Sequence, residues 1–417
     1  MKKLVLLPIF IATLFASCDS DDDNQGIIVD PVEPVVAPAD YTFSRNNEST
    51  VKFGGQTTRI FMAEEIISAL KGIDTETQSS IQAMFNHLEG AEDFLNPDLN
   101  ASGKSVRSKT AASSDYFSAN ASEASEIKAM FDNYITSQTS EVFPNSEVLA
   151  APGVAGQIAD GSSTRYVSAN GLEYNQAFAK GLIGAFVTDQ ILNNYLSPSV
   201  LDGGDNVSNN DSDILDGDNQ YTTMEHKWDE GYGYLFGGVP SIIVDGQTVN
   251  QPNPLATIGD DDSFLNKYVG KVAGSTNFPT IAQDIFDAFK LGRAAIVAKN
   301  YQVRDEQAVI LKQKISEVIA IRAIYYLQGG KTAVEANDFG GAFHDLSEGY
   351  GFLTSLRFTR DTQNGSSIFT KSDVDGYLND IMSDGPNGLW NVTPQTLDAI
   401  SEDIASRFDF TVAQVTE

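Results

Sequence analysis

The sequence predicts an all-α protein built as a duplicated helical bundle. Three observations carry this reading. Apolar residues recur at steps of three and four over long stretches, and alternation of period two is scarce, confined to Ser241 through Val249. The segment His226-Lys-Trp-Asp-Glu230-Gly-Tyr-Gly-Tyr-Leu235 returns as His344-Asp-Leu-Ser-Glu348-Gly-Tyr-Gly-Phe-Leu353, the self-similarity expected of two helical repeats.

The chain opens as an export signal. Met1-Lys2-Lys3 is basic, Leu4 to Phe15 is an apolar run too short for a mature membrane span, and Leu14-Phe-Ala-Ser-Cys18 has the small residues of a lipoprotein cleavage site. Residues 1–17 are therefore expected to be removed, leaving Cys18 as the lipidated N-terminus, and several acyl chains hold a protein to a membrane where one does not. Asp19-Ser-Asp-Asp-Asp23 then resembles the acidic export signal of surface lipoproteins in some Gram-negative bacteria, which implies an outer-membrane location facing the cell exterior. Residues 18–40 read as a tether, because Pro31, Pro34 and Pro38 recur without helical period. Stiff chain of this kind extends by roughly 3 Å per residue. Cys18 is the only cysteine, so the mature protein can form no disulfide and no thiolate metal site.

The body is strongly acidic. The formal net charge of the whole chain is −30, which repels nucleic acid and anionic lipid and favours cations or basic partners. Ile60, Ala63, Ile67 and Leu70 predict a first amphipathic helix, with Thr57 or Thr58 as its cap and Gly72 as its stop. From Glu173 to Leu196 the chain is apolar nearly all round, as expected of a central helix buried by several neighbours. Leu311, Ile315, Val318, Ile321 and Tyr325 mark a long helix from Val303 to Leu327, closed by Gly329-Gly330. Ser102 to Ser114, Leu201 to Asn219 and Val239 to Asp262 read as loops. The last of these separates the two motif copies, which places the first helical repeat at 41–250 and the second at 251–417.

The repeated segment is the candidate site. Only three histidines occur in the chain, and two of them, His226 and His344, hold equivalent places in the repeat. Each has a glutamate four residues on, Glu230 and Glu348, and an i, i+4 pair projects from one face of a helix, as bundles present imidazole and carboxylate to a buried ion or ligand. Gly231-Tyr232-Gly233 and Gly349-Tyr350-Gly351 follow. Glycine inside a helix costs about 1 kcal/mol relative to alanine, so these positions imply close approach of a ligand or of a neighbouring helix. One His/Glu pair offers two ligands and a tight metal site wants about four. His226, Glu230, His344 and Glu348 are therefore expected to converge, with iron, another divalent metal or haem as the occupant. The competing structural reading is a His–Glu staple between helical turns, with the glycines serving helix packing. The third histidine, His87, reads as an ordinary helix-face residue, and Glu64 and Glu65 as the polar side of the first helix. The aspartates from Asp202 to Asp218 lack the central glycine and terminal glutamate of an EF-hand. A zincin motif, a nucleophile elbow and a phosphate loop are all missing from the sequence.

A family resemblance rests on specific strings: Tyr41-Thr-Phe-Ser-Arg45, Gly55-Gln-Thr-Thr-Arg59, Glu173-Tyr-Asn-Gln176, Lys180-Gly-Leu-Ile-Gly184 and Glu225 through Tyr234. These resemble an uncharacterised family of bacterial lipoproteins defined only as a domain of unknown function, over roughly Tyr41 to the C-terminus. Genes of that family accompany imelysin-like proteins, helical proteins of iron-regulated systems, to which this chain is more distantly similar. The imelysin hallmark is Gly-x-His-x-x-Glu, whereas here glutamate stands four residues after each histidine and Ala342 holds the glycine position of the second copy. The resemblance implies a surface lipoprotein that binds metal or haem in iron acquisition, with an outer-membrane uptake receptor and imelysin-like proteins as partners. Two alternatives stay open: an imelysin-type metallohydrolase or peptidase, and a purely structural partner of an outer-membrane receptor.

Overall fold

The first long helix, α1 (Gly54–Ala69), starts three residues before Thr57, and no side chain caps it. Thr58 turns its hydroxyl back to the Gly54 carbonyl inside the helix. Ile60, Met62, Ala63, Ile66 and Ile67 form its buried face, and the helix ends before Gly72 as expected. The computed structural model describes residues 34–238, 242–244, 247–249, 251–362 and 365–417. Cys18, the signal at 1–17 and the tether up to residue 33 lie outside the described residues.

Among the described residues there are fifteen α-helices and three two-stranded antiparallel hairpins that join into no larger sheet, so the all-α class holds. One of those hairpins, Ile242–Val244 with Gln247–Val249, falls where the sequence alternates. Residues 35–417 cluster as one compact unit. No helix among the described residues is long and apolar enough to cross a membrane.

The organising element is α2, residues 174–195, which runs through Tyr174–Leu182, Ile183–Thr188 and Ile191–Tyr195. Every residue from Ala177 to Tyr195 is buried, as the all-round apolar pattern predicts. Its second and third segments are π-helical. A π turn bonds to the fifth preceding carbonyl and displaces others from their usual partners, and here two carbonyls serve a loop. Ala111 donates to the Ala185 carbonyl at 2.6 Å and Asp115 to that of Asn193 at 3.2 Å. Asp189 accepts the backbone N–H groups of Ala112 and Ser113 at 3.0 Å each, while Gln190 donates to the Lys109 carbonyl. The end of the serine-rich stretch is thus pinned along the core and does not run free over the surface.

Four further long helices build the body; three pack on α2, and the second in chain order packs on the first and third instead. They are α3 (Thr223–Phe236), α4 (Ile281–Val297), α5 (Tyr301–Glu335) and α6 (Phe339–Leu356). α5 runs straight through Gly329-Gly330, correcting the expected stop. A Cβ on Gly330 would stand 2.5 Å from the Leu346 side chain, and one on Gly329 2.6 Å from the Asp345 carboxylate. The two glycines let α5 and α6 pack closely. The aspartate-rich stretch after residue 201 is tied to the start of α5: Asp202 pairs with Arg304 at 2.6 Å, Asp211 accepts from the Tyr301 hydroxyl and Asp213 pairs with Lys299.

Candidate functional site

The first motif copy is α3. A reciprocal capping box starts it, with the Glu225 N–H donating to Thr222 Oγ1 and Thr222 N–H donating to Glu225 Oε2 at 2.7 Å. This is a strong local start signal, and Glu225 does more than cap. Its carboxylate also meets Arg293 Nη1 at 3.0 Å and Arg45 Nη1 at 3.0 Å. One turn on, Asp229 accepts from Arg293 Nε at 3.0 Å and from the Tyr41 hydroxyl at 2.7 Å. Arg293 reaches Thr50 as well, and the Tyr41 ring stacks on Tyr232 with centroids 3.7 Å apart. The segment after the tether is therefore bolted to α3 and α4 through a buried ionic network. Burial pushes Asp229 up to about 6 despite Arg293.

His226 and Glu230 lie on a neighbouring stripe. The His226 ring stacks on Tyr221, 4.6 Å between centroids, and its Nδ1 is buried without a hydrogen-bond partner. Burial depresses its affinity for a proton more than Glu230 raises it. Glu230 turns to Lys227 at 2.8 Å and Gln56 at 3.0 Å; burial would raise its pKa, but Lys227 holds it below the ordinary range. The glycines take the neighbouring elements: a Cβ on Gly231 would stand 3.2 Å from Leu196, and one on Gly233 would overlap Phe53 at the head of α1. Tyr232 is buried in the aromatic contact with Tyr41.

The second copy is α6, capped by Asp338. His344 Nδ1 lies 3.0 Å from Glu173 Oε1, and Nε2 lies 3.7 Å from Glu348 Oε1. Glu348 pairs with Lys180 of α2 at 3.2 Å. Burial would lower the His344 pKa, but the hydrogen bond and charge of Glu173, with Glu348 behind them, raise it. Burial would likewise raise Glu348, and Lys180 with the Tyr326 hydroxyl holds it down. Gly351 faces α2, where a Cβ would lie 2.9 Å from the Gly181 nitrogen and would overlap Lys180. Gly349 faces α5, 3.4 Å from Tyr326 Cβ by the same construction. Ser355 Oγ donates to the Lys180 carbonyl at 2.7 Å and accepts from Gly184 N–H at 2.9 Å. Close approach is made by helices in both copies. Tyr350 sits beside Tyr134.

The structure does not bring the four predicted ligands together. α3 packs on the 191–195 end of α2 and α6 on the 174–188 part, so one central helix separates the pairs; a helix of this length spans roughly 30 Å. No group of three or more His, Cys, Asp or Glu side chains placed to hold a metal ion occurs among the described residues. The third histidine, His87, caps the helix Gln78–Asn86 and bridges Asp93 at 2.8 Å and the Ser102 carbonyl at 3.1 Å. Glu64 takes the Ser263 hydroxyl at 2.9 Å, and Glu65 the backbone N–H of Leu95 at 2.7 Å, so both glutamates cap loops. Sequence reasoning missed Arg293, Glu173 and Lys180 as members of these clusters. Glu173 and Lys180 stand inside the strings that carry the family resemblance, which was the available signal; Arg293 lies in an apolar run that hides it.

Fold and site together define an all-helical protein with a repeated helix motif, each copy set in a buried network of charges. The chain matches the domain of unknown function DUF4856 over residues 38–411 and belongs to that family. Neither a curated protein nor a solved structure matches it.

Proposed function

We propose that this is a lipid-anchored outer-membrane protein, displayed on the cell exterior, that binds haem in iron acquisition through the first motif copy. The cleavage-site string ending at Cys18 and the acidic run after it support the anchor and its outward display. The observation that carries the ligand reading is His226. Of the three histidines it is the one with a buried ring nitrogen that no hydrogen bond engages, whereas His87 and His344 are held by carboxylates. A buried imidazole nitrogen without a partner costs stability, and ligation is a standard use for one. A tetrahedral metal cage needs about four protein ligands, whereas haem iron takes one or two. One open histidine therefore favours haem over a bare ion, with Glu230 in its surroundings and Tyr221 moving aside for access. The gene-level association of the resembling family with imelysin-like proteins fits the same context, with an uptake receptor as partner.

A second reading is favoured by how completely the motif glycines, Glu348 and Lys180 are absorbed in helix packing. On that reading the protein is a structural partner of an outer-membrane receptor and carries no cofactor. An absorbance titration with haem separates the two. The haem reading expects a saturable Soret shift in the wild type that His226→Ala loses; absence of any shift in the wild type leaves the structural reading.

A further inference from the structure

On the outer side of the first motif, Lys227 of α3 and Lys109 of the pinned loop place their ammonium groups 5.7 and 5.6 Å from the centre of one ring, Tyr195. Two more cations stand beside them. A Cβ built on Gly55 would lie 3.4 Å from Lys104 Cε and 3.7 Å from Arg59 Nη1, so Lys104 and Arg59 share the first turn of α1. Arg59 spends its hydrogen bonds on backbone, donating to the carbonyls of Ser105 at 3.4 Å and Gly55 at 3.2 Å. Among the described residues no ion pair involves Arg59, Lys104 or Lys109, and Lys227 has Glu230 alone.

Four cations thus gather around one carboxylate in a chain with 57 acidic and 27 basic residues. Random placement on such a surface would surround each cation with carboxylates. Like charges held together oppose folding, and Lys109 shows the effect. Its ammonium is pushed below the ordinary lysine range by burial, then by Arg59, with Lys227 and Lys104 adding to the repulsion. What keeps the cluster in place is the core: Gln190 holds the Lys109 carbonyl, and Asp189 holds the N–H groups of Ala112 and Ser113. π-helical turns, frequent at functional positions, supply the remaining anchor.

We propose that this cluster is a binding site for a small oxyanion, a phosphate or carboxylate group carried over the Tyr195 ring. The site stands independently of haem binding at His226. Its test is thermal unfolding of the wild type and of Lys104→Met/Lys109→Met, which removes two cations that make no ion pair among the described residues. Inorganic phosphate and citrate are titrated separately against sodium chloride at matched ionic strength, because bulk screening alone relaxes like-charge repulsion. The expected result is a saturable rise in Tm above the chloride control, larger with whichever group the site prefers. The double variant should lose that increment while being at least as stable as wild type without anion, and Lys109→Arg should keep it. Equal responses to phosphate, citrate and chloride in the wild type overturn the proposal, as does an unchanged increment in the double variant. If the double variant fails to fold, calorimetric titration of the wild type with phosphate and with citrate decides, since no saturable heat with either ends the proposal.

Discussion

Arg293 and Asp229 meet at 3.0 Å with both side chains fully buried. Their pairing, extended by Glu225, Arg45 and Tyr41, fastens the start of the folded body to the helix that carries His226. A buried pair is weak evidence for net stability, but removing one partner leaves an uncompensated charge and typically costs about 3–5 kcal/mol. Arg293→Met should therefore lower the urea midpoint severely. Tyr41→Phe, which removes one hydrogen bond to Asp229 and leaves the ring stack, should cost only about 1–2 kcal/mol. Equal losses in the two variants would contradict the assignment.

The close approach of α6 to α2 sets a second expectation. Gly351→Ala forces a methyl against Lys180 and the Gly181 nitrogen, and overpacking of this kind costs about 1–3 kcal/mol. Gly376→Ala, in the helix Lys371–Ser383 with nothing within 4 Å of the added carbon, should instead stabilise by about 0.5–1 kcal/mol from helix propensity. Chemical denaturation of both variants checks the contrast in sign.

The two motif histidines should titrate with opposite effects. His344 has a raised pKa, so its contribution to stability is fully present below the ordinary histidine value and is lost as pH rises through the folded value. His226 has a lowered pKa, so its contribution is present above the ordinary value and is lost as pH falls through the folded one. Between pH 5 and 8 the stability difference between wild type and His344→Gln should shrink with rising pH, while that between wild type and His226→Gln should grow. Parallel slopes would contradict the two environments.

Asp189 holds the loop through two backbone N–H groups inside the core. Asp189→Ala leaves those donors unsatisfied, at a cost of about 1–3 kcal/mol for each buried orphan. Limited trypsin digestion should then cut after Arg107 or Lys109 far faster than in the wild type, and an unchanged digestion pattern would show that the loop is held elsewhere.

Helices were legible because their signal is local: the faces of α1 and α5 repeat every three to four residues, and α2 is apolar on all sides. What depends on distant partners was not. Gly329-Gly330 looks like a stop in sequence, and a glycine that ends a helix reads no differently from one that admits Leu346. The stretch Ser102 to Ser114 has loop composition, yet its end is buried, because the carbonyls that receive it are released by π turns that no pattern announces. The repeat exposed His226 and His344 at once. Similarity of two segments says nothing of their arrangement, and α2 keeps the pairs apart. Arg293 was invisible, its carboxylates lying in another helix.

On the proposed function His226 binds haem, while His344 braces α6 against α2 through Glu173. The direct measurement is a haem absorbance titration run beside urea denaturation on wild type, His226→Ala and His344→Ala. His226→Ala should abolish the Soret shift with little change in urea midpoint, and His344→Ala should keep the shift at near wild-type affinity while losing stability. Loss of binding in His344→Ala at a preserved midpoint, or an unchanged shift in His226→Ala, would contradict the account.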